Sequence, residues 1–172
     1  MNELNEMWSR MLSQAIENAR ASGRGDVVDY LTLKAANDAM RQIGVRWLFD
    51  TLVEIAGEAN RINQSISIER TDPHNFNYRS ANLLGSLFKL RQGVRCLSVE
   101  AGWTRTPTDG FIRGGALAIG RITHLGMSKA NAEISLVKTD EGPVWKLISD
   151  EKAAKIFGSD AMRDHFRIFA GS

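Results

Sequence analysis

The feature that most constrains this chain is a change of hydrophobic period after Asn63. Before it, apolar residues recur at steps of three and four; after it they alternate, as a passage from amphipathic helix to half-buried strand requires. In the first stretch Leu4, Met7, Trp8, Met11, Leu12, Ala15, Ile16 and Ala19 form a stripe, with Glu3, Glu6, Arg10, Gln14 and Glu17 on the other side. Gly23 is placed to end that helix. Asp26 is placed to cap the next, where its carboxylate can accept a free amide of the first turn, and Asp29 adds favourable charge there. A second stripe runs from Val28 through Leu31, Ala35, Ala39 and Met40 to Ile43, and Gly44 is expected to end or bend the helix. A third runs from Val45 to Ile62.

Ser65-Ile66-Ser67-Ile68-Glu69 then alternates as a strand. Further strands are expected at Leu84–Arg91, Val94–Gly102, Ile112–Leu125, Asn131–Lys138 and Val144–Ser149, separated by turn residues such as Gln92-Gly93, Pro107 to Gly110 and Asp140 to Pro143. Parallel neighbours need crossovers of a dozen residues or more, so these short connections imply an antiparallel meander. Asp150–Phe157 and Asp160–Phe169 return to helix. The expected fold is a single α+β domain: amphipathic helices in residues 1–62, packed on an antiparallel meander of five to six strands in 64–149, then short C-terminal helices in 150–170. A hairpin closing at Thr106 and Phe111 would set Ala116, Ala118 and Gly120 opposite Ala101, Val99 and Leu97, a small-residue face that a helix can approach closely.

The 172 residues carry 22 Lys and Arg against 20 Asp and Glu, a formal net charge of +2. That balance excludes a polybasic or acidic tail. Counted by segment it divides unevenly: residues 1–77 carry −3, 78–129 carry +6 and 130–172 carry −1. The basic stretch also holds aromatics, with Trp103-Thr104-Arg105 and Phe111-Ile112-Arg113 flanking the expected turn. Stacking surface beside guanidinium groups suits single-stranded nucleic acid or another planar anion. Arg91, Arg95, Trp103, Arg105, Phe111, Arg113 and Arg121 are therefore the candidate anion-binding residues, the arginines for phosphate and the aromatics for stacking. The competing structural reading is that these arginines cover strand edges and pair with acids.

Chemistry-bearing motifs are few. The glycines around Arg113 lack the spacing of a phosphate-binding loop. His74, His124, Glu100 and Cys96 are the active-site candidates, with His124 and Glu100 a conceivable general acid/base pair, and the sequence favours a non-catalytic role without excluding an enzyme. Cys96 sits beside Val94 and Leu97 and reads as a packed thiol; with three scattered His and one Cys, neither a metal site nor any other cofactor is expected. Arg24-Gly25-Asp26 is read as a turn with a capping Asp, and Asn63-Gln64-Ser65 as a glycosylation acceptor only in a secreted chain. The N-terminal residues resemble neither a signal nor a transit peptide, no apolar run is long enough to span a membrane, and a cytoplasmic location is expected.

Three functions are open on these grounds. The first is a small non-catalytic binding or regulatory protein that takes an anionic partner, nucleic acid included, on the basic sheet region. The second is a protein-interaction module or homodimer working through Met7, Trp8 and Met11, a soft apolar surface on the first helix. The third is an enzyme or small-ligand carrier with a pocket between helices and sheet.

Overall fold

A computed structural model describes residues 2–149 and 154–171. The element order is α1 (Asn2–Ala21), α2 (Gly25–Asn60), β1 (Ser67–Tyr78), β2 (Ala81–Gln92), β3 (Arg95–Trp103), β4 (Ala118–His124), β5 (Ala132–Thr139), β6 (Gly142–Leu147) and α3 (Ser159–Ala170). The six strands form one antiparallel sheet in chain order, so the α+β class and the meander are as the period change predicts. None of the described helices is long and apolar enough to cross a membrane. The chain groups into two compact units, Met1–Gln42 and Ile43–Ser172, and the division falls within α2.

The expected helices on either side of Gly44 are one helix. Gly44 does not end it, and its missing side chain is needed for packing: a Cβ there would lie 2.6 Å from a methyl of Leu136 on β5. Close approach to the sheet thus outweighs the roughly 1 kcal/mol by which glycine disfavours a helix. Trp145 on β6 fixes the same spot, its Nε1 donating to the Gly44 carbonyl at 3.0 Å. The exit from α2 is held by Asn60, whose amide donates to the Ile66 carbonyl and whose Oδ1 accepts from the Ile66 amide, at 3.0 and 2.8 Å.

One sheet face carries the core. Phe88, Leu90, Leu97, Val99, Ile122, Ile134 and Leu136 are buried there, along with Val45, Leu48, Leu52 and Ile55 of α2 and Met162 and Phe169 of α3. A second cluster of Phe76, Tyr78, Ala81, Leu83 and Ile119 lies on the opposite face, and the β3–β4 connection lays Ile112 and Ala116 on it.

Four expectations are corrected. The first strand is longer than Ser65–Glu69, running from Ser67 to Tyr78 through an irregularity at Thr71 to His74. The strand expected over Ile112–Leu125 is confined to Ala118–His124, because positive-φ glycines at 114 and 115 leave residues 113–115 as a tight turn. The β3–β4 register follows: Ala101 faces Gly120, Val99 faces Ile122 and Leu97 faces His124, four positions away from the register a tip at Thr106 and Phe111 would set. The shift is even, so the predicted face is preserved. Of the helix expected at Asp150–Phe157, residues 150–153 lie outside the described residues. The rest is extended, bridging Ile156 to Lys146 and bonding the Leu147 amide to the Lys155 carbonyl, which covers the β6 edge.

Candidate functional site

Register decides which charged residues meet. On the face away from the core, Glu100 stands opposite Leu87 on β2 and Arg121 on β4, and Arg121 stands opposite Glu133 on β5. His74 of β1 reaches the same row, and its Nε2 is 2.7 Å from Glu100 Oε2. Arg121 lies 4.0 Å from Glu100 and 3.9 Å from Glu133, and donates a 2.7 Å hydrogen bond to the Asn77 carbonyl. The result is a row across four strands, His74–Glu100–Arg121–Glu133, in which the two carboxylates alternate with nitrogen-bearing side chains. Such cross-strand pairs strengthen a sheet by a few tenths to about 1 kcal/mol each.

The expected His124–Glu100 pair does not exist. His124 faces Leu97 and so lies on the core face, whereas Glu100 lies on the other. Each has found another histidine: Glu100 takes His74, and His124 Nε2 is 2.8 Å from His165 Nδ1 of α3, the rings stacked at 5.1 Å between centroids. Burial pushes both imidazoles of the second pair below the ordinary histidine value, and for His165 the neighbouring His124 adds to it. His124 Nδ1 is buried without a hydrogen-bond partner. The tautomer that avoids burying an unpaired N–H leaves Nδ1 bare and has His124 Nε2 donate to His165 Nδ1. His165 then carries its proton on Nε2.

His165 and Arg121 both line an open depression of about 590 Å³ at the end of β5 and β6, together with Asn131, Glu133, Leu147 and Ile148. Asn131 is oriented by its Oδ1, which accepts from the His124 amide at 2.8 Å.

The candidate anion-binding residues are dispersed and partnered. Arg91 pairs with Glu69 at 3.6 Å. Arg95 donates to the Ala170 carbonyl at 2.6 Å, placing its cation at the C-terminus of α3, the negative end of that helix. Arg105 stacks on the ring of Trp103, with 3.8 Å to the centroid, and donates to the Leu84 carbonyl. Trp103 is buried, whereas Phe111 is 83% exposed in the β3–β4 connection. The Arg113 side chain lies outside the described residues. Cys96 is half-buried, 3.8 Å from the Ser98 hydroxyl. Among the described residues no three His, Cys, Asp or Glu gather as metal ligands.

The third candidate surface lies in the first unit. Among its described side chains only Ala19 is a buried apolar residue, while Met7, Trp8 and Met11 of α1 and Tyr30 and Leu33 of α2 are 49–65% exposed. Lys34 of α2 lies 5.5 Å over the Trp8 ring, so α1 and the start of α2 form a hairpin. On a helix of 3.6 residues per turn Met7, Met11 and Trp8 fall on one arc, which also holds Ala15 and Asn18 and no charge.

No protein-family model matches the chain, no curated protein is significantly similar to it, and no solved structure matches its fold.

Sequence reasoning counted His74 among the active-site candidates but did not pair it with Glu100, and it missed His165, Glu133, Tyr30 and Leu33. His165 and Glu133 carry no local pattern and acquire partners only through strand register and the docking of α3. Tyr30 and Leu33 were visible only as gaps in the stripe from Val28 to Ile43.

Proposed function

We propose that the protein acts by association rather than catalysis, with the α1–α2 hairpin as its docking element and a second copy of the chain as the occupant. The observation that carries this reading is the imbalance of the first unit. Among its described side chains it leaves five large apolar ones 49–65% exposed and buries a single apolar residue, Ala19. Helices of this length gain most of their stability from packing an apolar face, and this face stays about half exposed although Lys34 lies over Trp8.

A second copy fits by shape. The large residues Met7 and Met11 occupy the first half of the α1 arc and the small ones, Ala15 and Asn18, the second. Two copies antiparallel about Met11 set Met7 of each against Ala15 of the other, the self-complementary pairing that a two-fold interface demands. The five exposed side chains offer roughly 600 Å² per copy, approaching the ~800 Å² per partner of a stable interface. An uncharged arc also disfavours nucleic acid or an anionic membrane as its occupant.

Light scattering of the full chain tests this. The expected mass is that of a dimer, and Met11→Glu, with its circular dichroism spectrum unchanged, is expected to run as a monomer. In a Cys96→Ser background, Met11→Cys is expected to cross-link between copies under oxidation. A wild-type monomer at about 100 μM, where interfaces with micromolar dissociation constants are filled, would refute the reading.

An anionic partner, nucleic acid included, is the second reading. Phe111 favours it, fully displayed for stacking on the connection that also holds Arg105. Oligonucleotide titration at two salt concentrations tests it: binding that weakens with salt and is lost in Phe111→Ala supports it, and no binding at low salt rejects it.

A further inference from the structure

An antiparallel meander sends alternate connections to opposite ends of its sheet, and the two ends differ here in chemistry. At one end lie the α2–β1 connection, the β2–β3 turn and the β4–β5 connection, and contacts tie them together. The Gln92 side chain at the end of β2 donates to Gln64 in the first of them. The Leu125 amide in the third donates to the Cys96 carbonyl at 3.1 Å. Arg95 donates to the Ala170 carbonyl, which brings the C-terminus of α3 to the same place. All four segments display aliphatic side chains: Ile62, Val94, Leu125 with Met127, and Ile168, 41–92% exposed. They also carry one cation each, Arg61, Arg95, Lys129 and Arg167, and residues 59–67, 92–96, 124–131 and 165–171 hold no acid. Of the segment that follows β6, residues 150–153 lie outside the described residues. The opposite end is neutral by comparison. Its connections, residues 79–80, 104–117 and 140–141, hold three arginines and three acids, and Phe111 is the one large apolar side chain exposed among their described residues.

The occupant of the basic end must answer aliphatic tips and cations together. Arg61 and Arg95 donate to the carbonyls of Gly57 and Ala170 rather than to carboxylates, so their charge stays available, while Arg167 pairs with Asp164 at 2.6 Å. A second copy of this end would set cations against cations about a two-fold axis. Single-stranded nucleic acid would want a ring to stack on, and no Phe, Tyr or Trp is exposed in the four segments. A surface with negative charge outside and hydrocarbon beneath suits both features, and it takes apolar tips on separate connections one by one without needing a shaped groove. We infer that this end of the sheet docks on an anionic lipid bilayer. Ile62, Val94, Leu125 and Met127 enter the interface, and Arg61, Arg95 and Lys129 meet the headgroups. The protein lies on the bilayer by this end, and none of the described helices is built to span it.

The test is flotation of the full chain with vesicles of phosphatidylcholine alone or of phosphatidylcholine mixed two to one with phosphatidylserine. Binding to the mixed vesicles is expected to be at least about tenfold tighter than to phosphatidylcholine, and to weaken as salt rises to physiological levels. Val94→Asp/Leu125→Asp changes two exposed tips, so its circular dichroism should match the wild type while its binding to mixed vesicles falls at least about tenfold. Lys129→Ala is expected to weaken binding about fivefold, the worth of one cation near a charged leaflet. Phe111→Asp, at the opposite end, is expected to leave it unchanged. No flotation with mixed vesicles at low salt, equal flotation of wild type and Val94→Asp/Leu125→Asp, or as large a loss in Phe111→Asp would each overturn the inference. So would a dimer that Val94→Asp/Leu125→Asp turns into a monomer in light scattering, since that gives this end to a second copy. Association through the helical hairpin is read without vesicles, by Met11→Glu, so either reading can fail alone.

Discussion

Two glycines of one helix should respond oppositely to the same substitution. Gly44 and Gly57 both lie within α2, and replacing either with alanine removes glycine's conformational disadvantage, a gain of about 0.5–1 kcal/mol. At Gly57 a Cβ meets nothing within 4 Å, so the gain stands, at the lower end because the site is in the last turn. At Gly44 the new methyl lies 2.6 and 2.8 Å from the two terminal carbons of Leu136. Leu136 is fully buried against the facing strands, so it cannot withdraw without disturbing other packing. Overpacking of this type costs about 1–3 kcal/mol. The net expectation is Gly57→Ala stabilised by about 0.5 kcal/mol and Gly44→Ala destabilised by about 1 kcal/mol. Urea unfolding followed by tryptophan fluorescence reads both, and the ~1.5 kcal/mol between them corresponds to a midpoint separation of roughly 1 M for a slope near 1.5 kcal/mol/M. A cycle with Leu136→Val isolates the clash: that substitution removes the two offending carbons, so it should cost about 1 kcal/mol less in the Gly44→Ala background than in the wild type. If Gly44→Ala is as stabilising as Gly57→Ala, or the cycle shows no coupling, the argument that close packing keeps glycine inside this helix is wrong.

Other consequences can be measured on the same protein. Because burial holds His124 and His165 below the ordinary value near 6.5, the unfolded chain binds more protons than the folded one as pH falls below it. Stability should therefore be greatest above about pH 6.5 and decline on acidification, by at most about 1.4 kcal/mol per pH unit for each histidine, and His165→Phe should flatten that part of the profile. Trp145→Phe removes the donor to the Gly44 carbonyl and also part of a buried ring, and should cost about 2–4 kcal/mol in urea, with the slope unchanged. Arg95→Ala takes a cation from the C-terminus of α3 and should cost about 0.3–1 kcal/mol, seen first as faster amide exchange in the last turn of that helix.

What could be read from the sequence follows the range of the forces involved. Helix against strand is written in neighbours two to four residues apart, and the change of period after Asn63 placed the boundary correctly. Turns held by glycine were legible for the same reason, as at Gly93 and Gly142, both with positive φ. Gly44 was misread because its role depends on Leu136, ninety-two positions away, and no local rule distinguishes a glycine that breaks a helix from one that lets a helix touch a sheet. The β3–β4 register was misread because Pro107 to Gly110 offers a good turn, but Gly114 and Gly115 offer a second, and the connection uses both. The acid/base pair fails for a different reason: strand alternation alone puts His124 on the face of Ala118 and Gly120 and Glu100 on the other, which an even shift cannot change, and Glu100 meets His74 only because the sheet brings β1 to the same row.

The same long-range geometry changes the meaning of the +6 stretch in the middle of the chain. A meander places residues 20 to 30 positions apart side by side, and the acids that answer the central arginines come from outside or between the basic positions: Glu69 for Arg91, Glu100 and Glu133 for Arg121. Segment counting separates partners that the sheet unites. An excess of arginine in a run of strands is therefore compatible with a face of mixed sign, and Arg105, Arg121 and Arg95 also tie strands or a terminus together through the carbonyls of Leu84, Asn77 and Ala170. Lysine would not serve as well, since one planar guanidinium can hold a carbonyl and flank a carboxylate or a ring at once. By contrast, the large apolar side chains of the α1–α2 hairpin remain about half exposed. That contrast between sheet arginines such as Arg91, Arg95, Arg105 and Arg121, which meet acids, carbonyls or a ring of the same chain, and a hairpin whose apolar face stays open is why association is the reading favoured over a polyanion.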